Sequence, residues 1–126
     1  MALNILIVDD SSVMRAMIIK TIRMTDLPLG EVHQAGNGGE GLKAIQQHWI
    51  DLVLVDINMP VMNGEEMINN MKENPDMKDI PIVVISTEGS EKRIERLKQK
   101  GARFISKPFS PEIIRDTIQD LTGIKG

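Results

Sequence analysis

Three short apolar runs constrain the fold of this chain more than any other feature. The runs at 5–8, 52–55 and 82–85 are continuous, four residues long and rich in β-branched side chains. A continuous run predicts a strand covered by helices on both faces, because a strand with one solvent face would alternate apolar and polar residues. Weaker strands are predicted at 32–35 and 104–106.

Helical apolar spacing lies between these strands. The stripes are 13–24, Leu42/Ile45/Trp49, Met67/Ile68/Met71, Ile94/Leu97 and Ile113/Ile114/Ile118/Leu121. Five strands alternating with five helices predict one α/β domain over 1–126, with right-handed crossovers and no fused output domain. The second stripe predicts that Trp49 lies in the core, whereas His33 and His48 are expected to be isolated from each other.

Composition excludes several classes of protein. There is no cysteine, which excludes disulfides, cysteine zinc sites and thiol catalysis. A net charge of −3 and three aromatic residues argue against nucleic-acid binding. The apolar runs are far shorter than the ~20 residues of a membrane helix, and no signal peptide is evident, so we expect a cytoplasmic protein without membrane insertion. Residues 91–107 hold seven basic and two acidic side chains, either a solvated helix face or a docking patch for an acidic partner.

Polar residues with useful chemistry follow four of the five predicted strands, at the point where each of the four ends. They are Asp9 and Asp10, Asp56, Ser86 and Thr87, and Lys107. Ligands of open α/β sheets bind outside the carboxyl ends of the strands, and parallel strands bring those ends to one edge. We therefore expect three carboxylates, one or two hydroxyls and one ammonium group to meet there.

This set of groups predicts a phosphoryl-transfer site. Three clustered carboxylates repel one another, and oxygen-only ligands favour a hard cation such as Mg²⁺. Asp56 is the natural nucleophile, because a carboxylate can accept phosphate as an acyl phosphate. Lys107 and Ser86 would bind the phosphoryl oxygens by charge and hydrogen bond.

The motifs together resemble the receiver domain of two-component response regulators, and its chemotaxis (CheY-like) type most of all. They are Ile5–Asp10, Asp56–Gly64, Ser86 and Lys107–Phe109, and the resemblance covers essentially the whole chain. It implies the doubly wound, flavodoxin-like strand order 2-1-3-4-5 known for this family, with five helices.

The resemblance also implies roles for individual residues. Asp56 is the phosphoacceptor, and Mg²⁺, or Mn²⁺ in its place, is bound by Asp9, Asp10, Asp56 and the Asn58 carbonyl. Ser86 and Lys107 contact the phosphoryl group, and the Lys107–Pro108 peptide is cis. Phe104 occupies the aromatic switch position, where the chemotaxis type commonly has tyrosine. Asn58 and Glu88 occupy the positions that tune phosphate lifetime, with Thr87 bulkier than usual beside them; we expect a short lifetime.

The implied function is a signalling switch rather than an enzyme, catalysing only its own phosphotransfer and autodephosphorylation. A histidine kinase is the phosphodonor, a phosphatase is a possible further partner, and the surface of helix 4, strand 5 and helix 5 binds a downstream protein. The leading candidate for that protein is the flagellar motor switch. The alternatives are a phosphorelay intermediate, a phosphate sink, or a regulator of another signalling protein.

Two other classes of protein fit the residues less well. A haloacid-dehalogenase-type phosphatase also uses a strand-end aspartate, but it needs a second aspartate two positions later, where this chain has Asn58. A flavodoxin-like FMN carrier needs a phosphate loop after strand 1, where Asp9 and Asp10 would repel the phosphate.

Overall fold

The computed structural model describes residues 2–87 and 89–124. Within them, five strands alternate with five helices: β1 Leu3–Val8, α1 Ser12–Arg23, β2 Leu29–Ala35, α2 Gly38–Gln47, β3 Leu52–Val55, α3 Gly64–Glu73, β4 Ile82–Ser86, α4 Glu91–Gln99, β5 Arg103–Ser106 and α5 Pro111–Thr122. The strands form one parallel sheet in the order β2-β1-β3-β4-β5. The predicted α/β architecture and strand order are confirmed.

The three central strands are buried on both faces, as their continuous apolar runs predict. Alternate residues point to opposite faces, so that Leu6 packs with α2, α3 and α4 while Ile5 and Ile7 pack with α1 and α5. None of the helices in the described part of the chain is long and apolar enough to cross a membrane.

Side-chain caps fix where the helices begin. Ser11 caps α1, Asn63 and Glu66 form a reciprocal capping box on α3, and Ser110 caps α5 with Pro111 in the first turn. Each of these caps follows a loop from the carboxyl end of a strand. The loops that carry the polar strand-end residues are therefore anchored at both ends.

Two sequence predictions about side chains are wrong. Trp49 is 77% exposed, because α2 ends at Gln47 and the apolar stripe does not continue past the helix; its indole Nε1 donates to the Asp51 carboxylate at 2.8 Å. His33 and His48 are not isolated, since their rings stack with centroids 3.9 Å apart. The packing of α2 over β2 brings these two histidines together, although they are 15 positions apart in the sequence.

Candidate functional site

Strand register places two carboxylates side by side. Val8 of β1 pairs with Val55 of β3, so Asp9 and Asp56 leave the sheet as neighbours. The backbone N–H of Asp56 donates to the Val8 carbonyl at 2.9 Å, extending the pairing by one residue. Carboxylate oxygens of Asp9, Asp10 and Asp56 lie within 4.8 Å of one another. The predicted meeting of the three carboxylates is present in the structure.

Lys107 follows the edge strand β5, and its side chain extends to this cluster. Its Nζ lies 3.2 Å from Asp9 Oδ2 and 3.5 Å from Asp56 Oδ2. The ammonium group and the two carboxylates are largely buried, while Asp10 is exposed. One cation thus faces three anions, and the cluster retains a net negative charge that a divalent cation would offset.

Backbone contacts orient the carboxylates. Asp9 Oδ1 accepts the N–H of Ser11 at 2.9 Å, and Asp56 Oδ1 accepts the N–H of Ile57 at 2.8 Å. Arg15 Nη1 donates to the Asp9 carbonyl at 2.6 Å. No spacing signal in the sequence points to this role of Arg15, since the contact depends on how α1 turns back over the end of β1.

Ser86 and Phe104 lie on the adjacent strands β4 and β5. Ser86 is fully buried at the end of β4, and its carbonyl accepts the N–H of Lys107 at 2.9 Å. Phe104 of β5 is partly buried against the core on the α4 side of the sheet. The Lys107–Pro108 peptide is cis, as the resemblance implies.

Three further positions, Asn58, Thr87 and Glu88, were predicted to tune phosphate lifetime. Asn58 and Thr87 are exposed, and Thr87 lines a cleft of about 270 Å³ with Met14, Lys107 and Phe109. Glu88, one of the predicted lifetime positions, lies outside the described residues.

The basic segment 91–107 is largely engaged within the molecule. Arg93, Arg96 and Lys100 all pair with Glu65 of α3, at 3.6, 3.0 and 3.5 Å. Arg96 hydrogen bonds and, secondarily, nearby positive charge lower the pKa of the Glu65 carboxyl, against the opposing effect of burial. Sequence reasoning missed Glu65, because its basic partners follow it by 28 residues or more.

The fold is a doubly wound parallel α/β sheet with three carboxylates clustered at the carboxyl ends of its strands. The family model described as "Response regulator receiver domain" matches residues 5–119. The chain belongs to the response regulator receiver family, whose members are signalling switches.

Curated relatives and solved structures agree with this family. A "Chemotaxis protein CheY homolog" of Campylobacter jejuni is 32% identical, covering 96% of this chain and 93% of the relative. "Chemotaxis protein CheY1" of Helicobacter pylori is 33% identical, covering 96% and 98%. The structure of Vibrio cholerae CheY4 superposes with a TM-score of 0.83 at 34% identity, covering 96% of this chain and 99% of that one.

Proposed function

We propose that residues 1–126 act as one receiver domain in which Asp56 accepts a phosphoryl group from a histidine kinase. The observation that supports this most is the position of Asp56 between a buried lysine and two further carboxylates. An Asp56 carboxylate oxygen forms the new O–P bond while the N–P bond of the kinase phosphohistidine breaks. The histidine nitrogen keeps that electron pair and is protonated.

Lys107 has a role on both sides of this transfer. Before transfer its ammonium group pairs with Asp9 and Asp56, as the two distances of 3.2 and 3.5 Å indicate. After transfer it would neutralise a phosphoryl oxygen through a charge-assisted hydrogen bond. The Ser86 hydroxyl, at the end of the neighbouring strand, would donate to another phosphoryl oxygen.

The donor set fits a magnesium ion. Asp9, Asp10 and Asp56 offer oxygens within 4.8 Å of one another, and the Asn58 carbonyl would add a fourth. When bound, Mg²⁺ supplies positive charge that offsets the phosphoryl oxygens.

The phosphoryl group adds charge to an already acidic site, and this is the basis of switching. A charge of about −2 on Asp56 favours the conformation in which Ser86 has moved toward it. Phe104, on the next strand, then fills the space that Ser86 leaves. The surface of α4, β5 and α5 changes with it and binds a downstream partner. The names of the relatives support chemotaxis signalling. The flagellar motor switch is the partner that the resemblance to the chemotaxis type implies.

Intact mass after incubation with acetyl phosphate and Mg²⁺ tests the phosphoacceptor. We expect one added phosphoryl group on the wild-type chain and none on Asp56→Ala, while Asp79→Ala, which removes an exposed carboxylate, behaves as wild type. Labelling of Asp56→Ala at the wild-type level would refute the assignment.

A pull-down with the beryllofluoride-treated protein tests the output. Retention of a motor switch component supports chemotaxis. Retention of a phosphotransfer protein alone would favour the phosphorelay alternative.

A further inference from the structure

A second cluster of ligating side chains lies on the opposite edge of the sheet from Lys107. It joins Glu31 and His33 of β2 to His48 at the end of α2. One ligand atom of each residue lies within 4.8 Å of the other two. His33 Nε2 is 3.0 Å from Glu31 Oε1, and the two imidazole rings stack at 3.9 Å.

The fold holds the backbones of this cluster in place. β2 pairs with β1 so that His33 lies opposite Leu6, on the face that α2 covers. His48 is the C-cap of α2, and its N–H donates to the Ala44 carbonyl at 2.9 Å. The His48 side chain is exposed, so its ring can rotate out of the stack without disturbing the core.

We propose that Glu31, His33 and His48 bind one divalent transition-metal ion of the Zn²⁺ type. Zn–N and Zn–O bonds of about 2.0–2.2 Å place tetrahedral ligand atoms about 3.3–3.5 Å apart. The His33–Glu31 separation of 3.0 Å is close to that value, so an ion can replace the proton the two atoms share. Rotation of His48 brings in the second imidazole, and water completes four ligands.

Local charge favours a cation at this place. The C-terminal end of a helix carries partial negative charge, and α2 has no basic residue in its last turn. Glu40 and Lys43 line the same cleft of about 270 Å³ as His33 and His48. Lys43 opposes cation binding and Glu40 favours it. Imidazole ligands select Zn²⁺, Ni²⁺ or Cu²⁺, whereas the carboxylate cluster selects Mg²⁺, so the two sites differ in metal.

Zinc titration of the full chain, followed by the proton NMR signals of the imidazoles, tests the proposal. The sequence has only two histidines, so each signal is assigned with one variant. Mg²⁺ is kept in large excess to compete for the carboxylate cluster. We expect both imidazole signals to shift together and to saturate at one Zn²⁺ per chain.

Variants then identify the ligands. We expect His48→Ala and Glu31→Gln each to weaken Zn²⁺ binding by at least about tenfold. Lys43→Gln, which removes the opposing charge from the same cleft, should bind Zn²⁺ as tightly as wild type or tighter. Acetyl phosphate labelling confirms that each variant is folded. Imidazole signals that do not move, or His48→Ala binding as tightly as wild type, would overturn the site; unchanged binding by Glu31→Gln would overturn the three-ligand set.

Discussion

Val61 has a backbone conformation that is unfavourable for a β-branched residue. Its φ is 66°, in the left-handed region, and the side chain is 88% exposed in the loop between β3 and α3. Met62 N–H donates to the Pro60 carbonyl at 2.7 Å across it, closing a tight turn. For a β-branched residue this conformation costs about 1–2 kcal/mol, whereas asparagine tolerates it better.

We therefore expect Val61→Asn to raise the free energy of unfolding by about 0.5–1 kcal/mol. Urea denaturation measures this change. Val13→Asn is the matched control, because Val13 is also exposed but lies in the first turn of α1 with helical backbone. An equal gain in both variants would show that backbone strain at Val61 is not the cause.

Gly64 is required by a close approach of two backbone segments. A Cβ at this position would overlap the carbonyl oxygen of Asp56 and crowd Ile57, and Gly64 N–H donates to the Ile57 carbonyl at 2.8 Å. The φ of Gly64 is not positive, so the close approach is what requires glycine here. The start of α3 thus lies directly against the backbone of the proposed phosphoacceptor.

Gly64→Ala should lower the free energy of unfolding by about 2–3 kcal/mol and reduce acetyl phosphate labelling, because the backbone of Asp56 must move. Thermal unfolding and intact mass report the two effects separately. Gly89→Ala meets open space and should change stability little. A stable, normally labelled Gly64→Ala protein would mean that the two segments separate at little cost.

Thr87 is exposed and lines a cleft with Lys107, the residue that pairs with Asp56. Under the proposed function, we expect its methyl group to narrow access of phosphodonor and attacking water to Asp56. We expect Thr87→Ala to speed loss of the phosphoryl group about two- to tenfold, a barrier change of up to about 1.4 kcal/mol. The decay of the phosphorylated mass with time measures the rate. A wild-type half-life of many hours would contradict the short lifetime expected from Asn58 and Glu88.

At the scale of elements, the ion pairs of Glu65 link α4 to α3. Three basic side chains of α4 and its C-terminal end converge on this carboxylate, which is only 17% exposed. α4 needs such a contact, because Leu97 is its only buried residue within the described helix. The ion pairs therefore compensate for a narrow apolar face.

The stability contributed by Glu65 should depend on pH. The pKa of its carboxyl lies below the ordinary 4.5, first because of the Arg96 hydrogen bond, so the folded state favours the charged form. The contribution is present above the unfolded pKa and is lost as pH falls through the lowered folded value. We expect Glu65→Gln to cost about 1 kcal/mol at pH 7 and progressively less below about pH 5.

Urea denaturation of wild type and Glu65→Gln at a series of pH values measures this difference. Glu73→Gln removes an exposed carboxylate from the same helix and should show little difference from wild type at any pH. A Glu65→Gln penalty that stays constant down to pH 3 would show that packing, and not charge, fastens the two helices.

The sequence predicts elements better than it predicts contacts between them. Continuous apolar runs and capping residues such as Ser11 and Ser110 act locally, and all five strands and five helices are present in the predicted order. The bounds are less exact, since β2 begins at Leu29 and not at the predicted residue 32. The prediction that Trp49 lies in the core was wrong, because apolar periodicity does not show where a helix ends. The ion pairs of Glu65 were not predicted, because its partners are distant in sequence and only the packing of α4 against α3 brings them close.

At the scale of the whole molecule, the polar strand ends could be predicted to converge from parallel strands alone. The order of the strands could not, since the apolar runs are nearly equivalent, and it came from the resemblance to receiver domains. Strand order also decides which helix covers each edge strand, and therefore which side chains meet there. His33 and His48 meet because α2 packs over edge strand β2, a pairing that no local spacing indicates.

The carboxylate cluster should make the stability of the whole domain depend on Mg²⁺. Three carboxylates within 4.8 Å repel one another, and Lys107 offsets only part of their charge. Asp10 is the exposed member, so Asp10→Asn should stabilise the metal-free domain by about 1 kcal/mol, the scale of repulsion near ~4 Å in water. Mg²⁺ at about 100 times its dissociation constant should add about 2.7 kcal/mol to wild type and much less to Asp10→Asn.

Thermal unfolding measures this difference. We expect the variant to have the higher melting temperature in EDTA and the wild type to have the higher melting temperature with Mg²⁺. Asp26→Asn removes an exposed carboxylate outside the cluster and should keep the wild-type response to Mg²⁺. An equal Mg²⁺ response of wild type and Asp10→Asn would place the ion elsewhere. If Asp10→Asn instead melts lower in EDTA, repulsion among the three carboxylates is not what Mg²⁺ relieves.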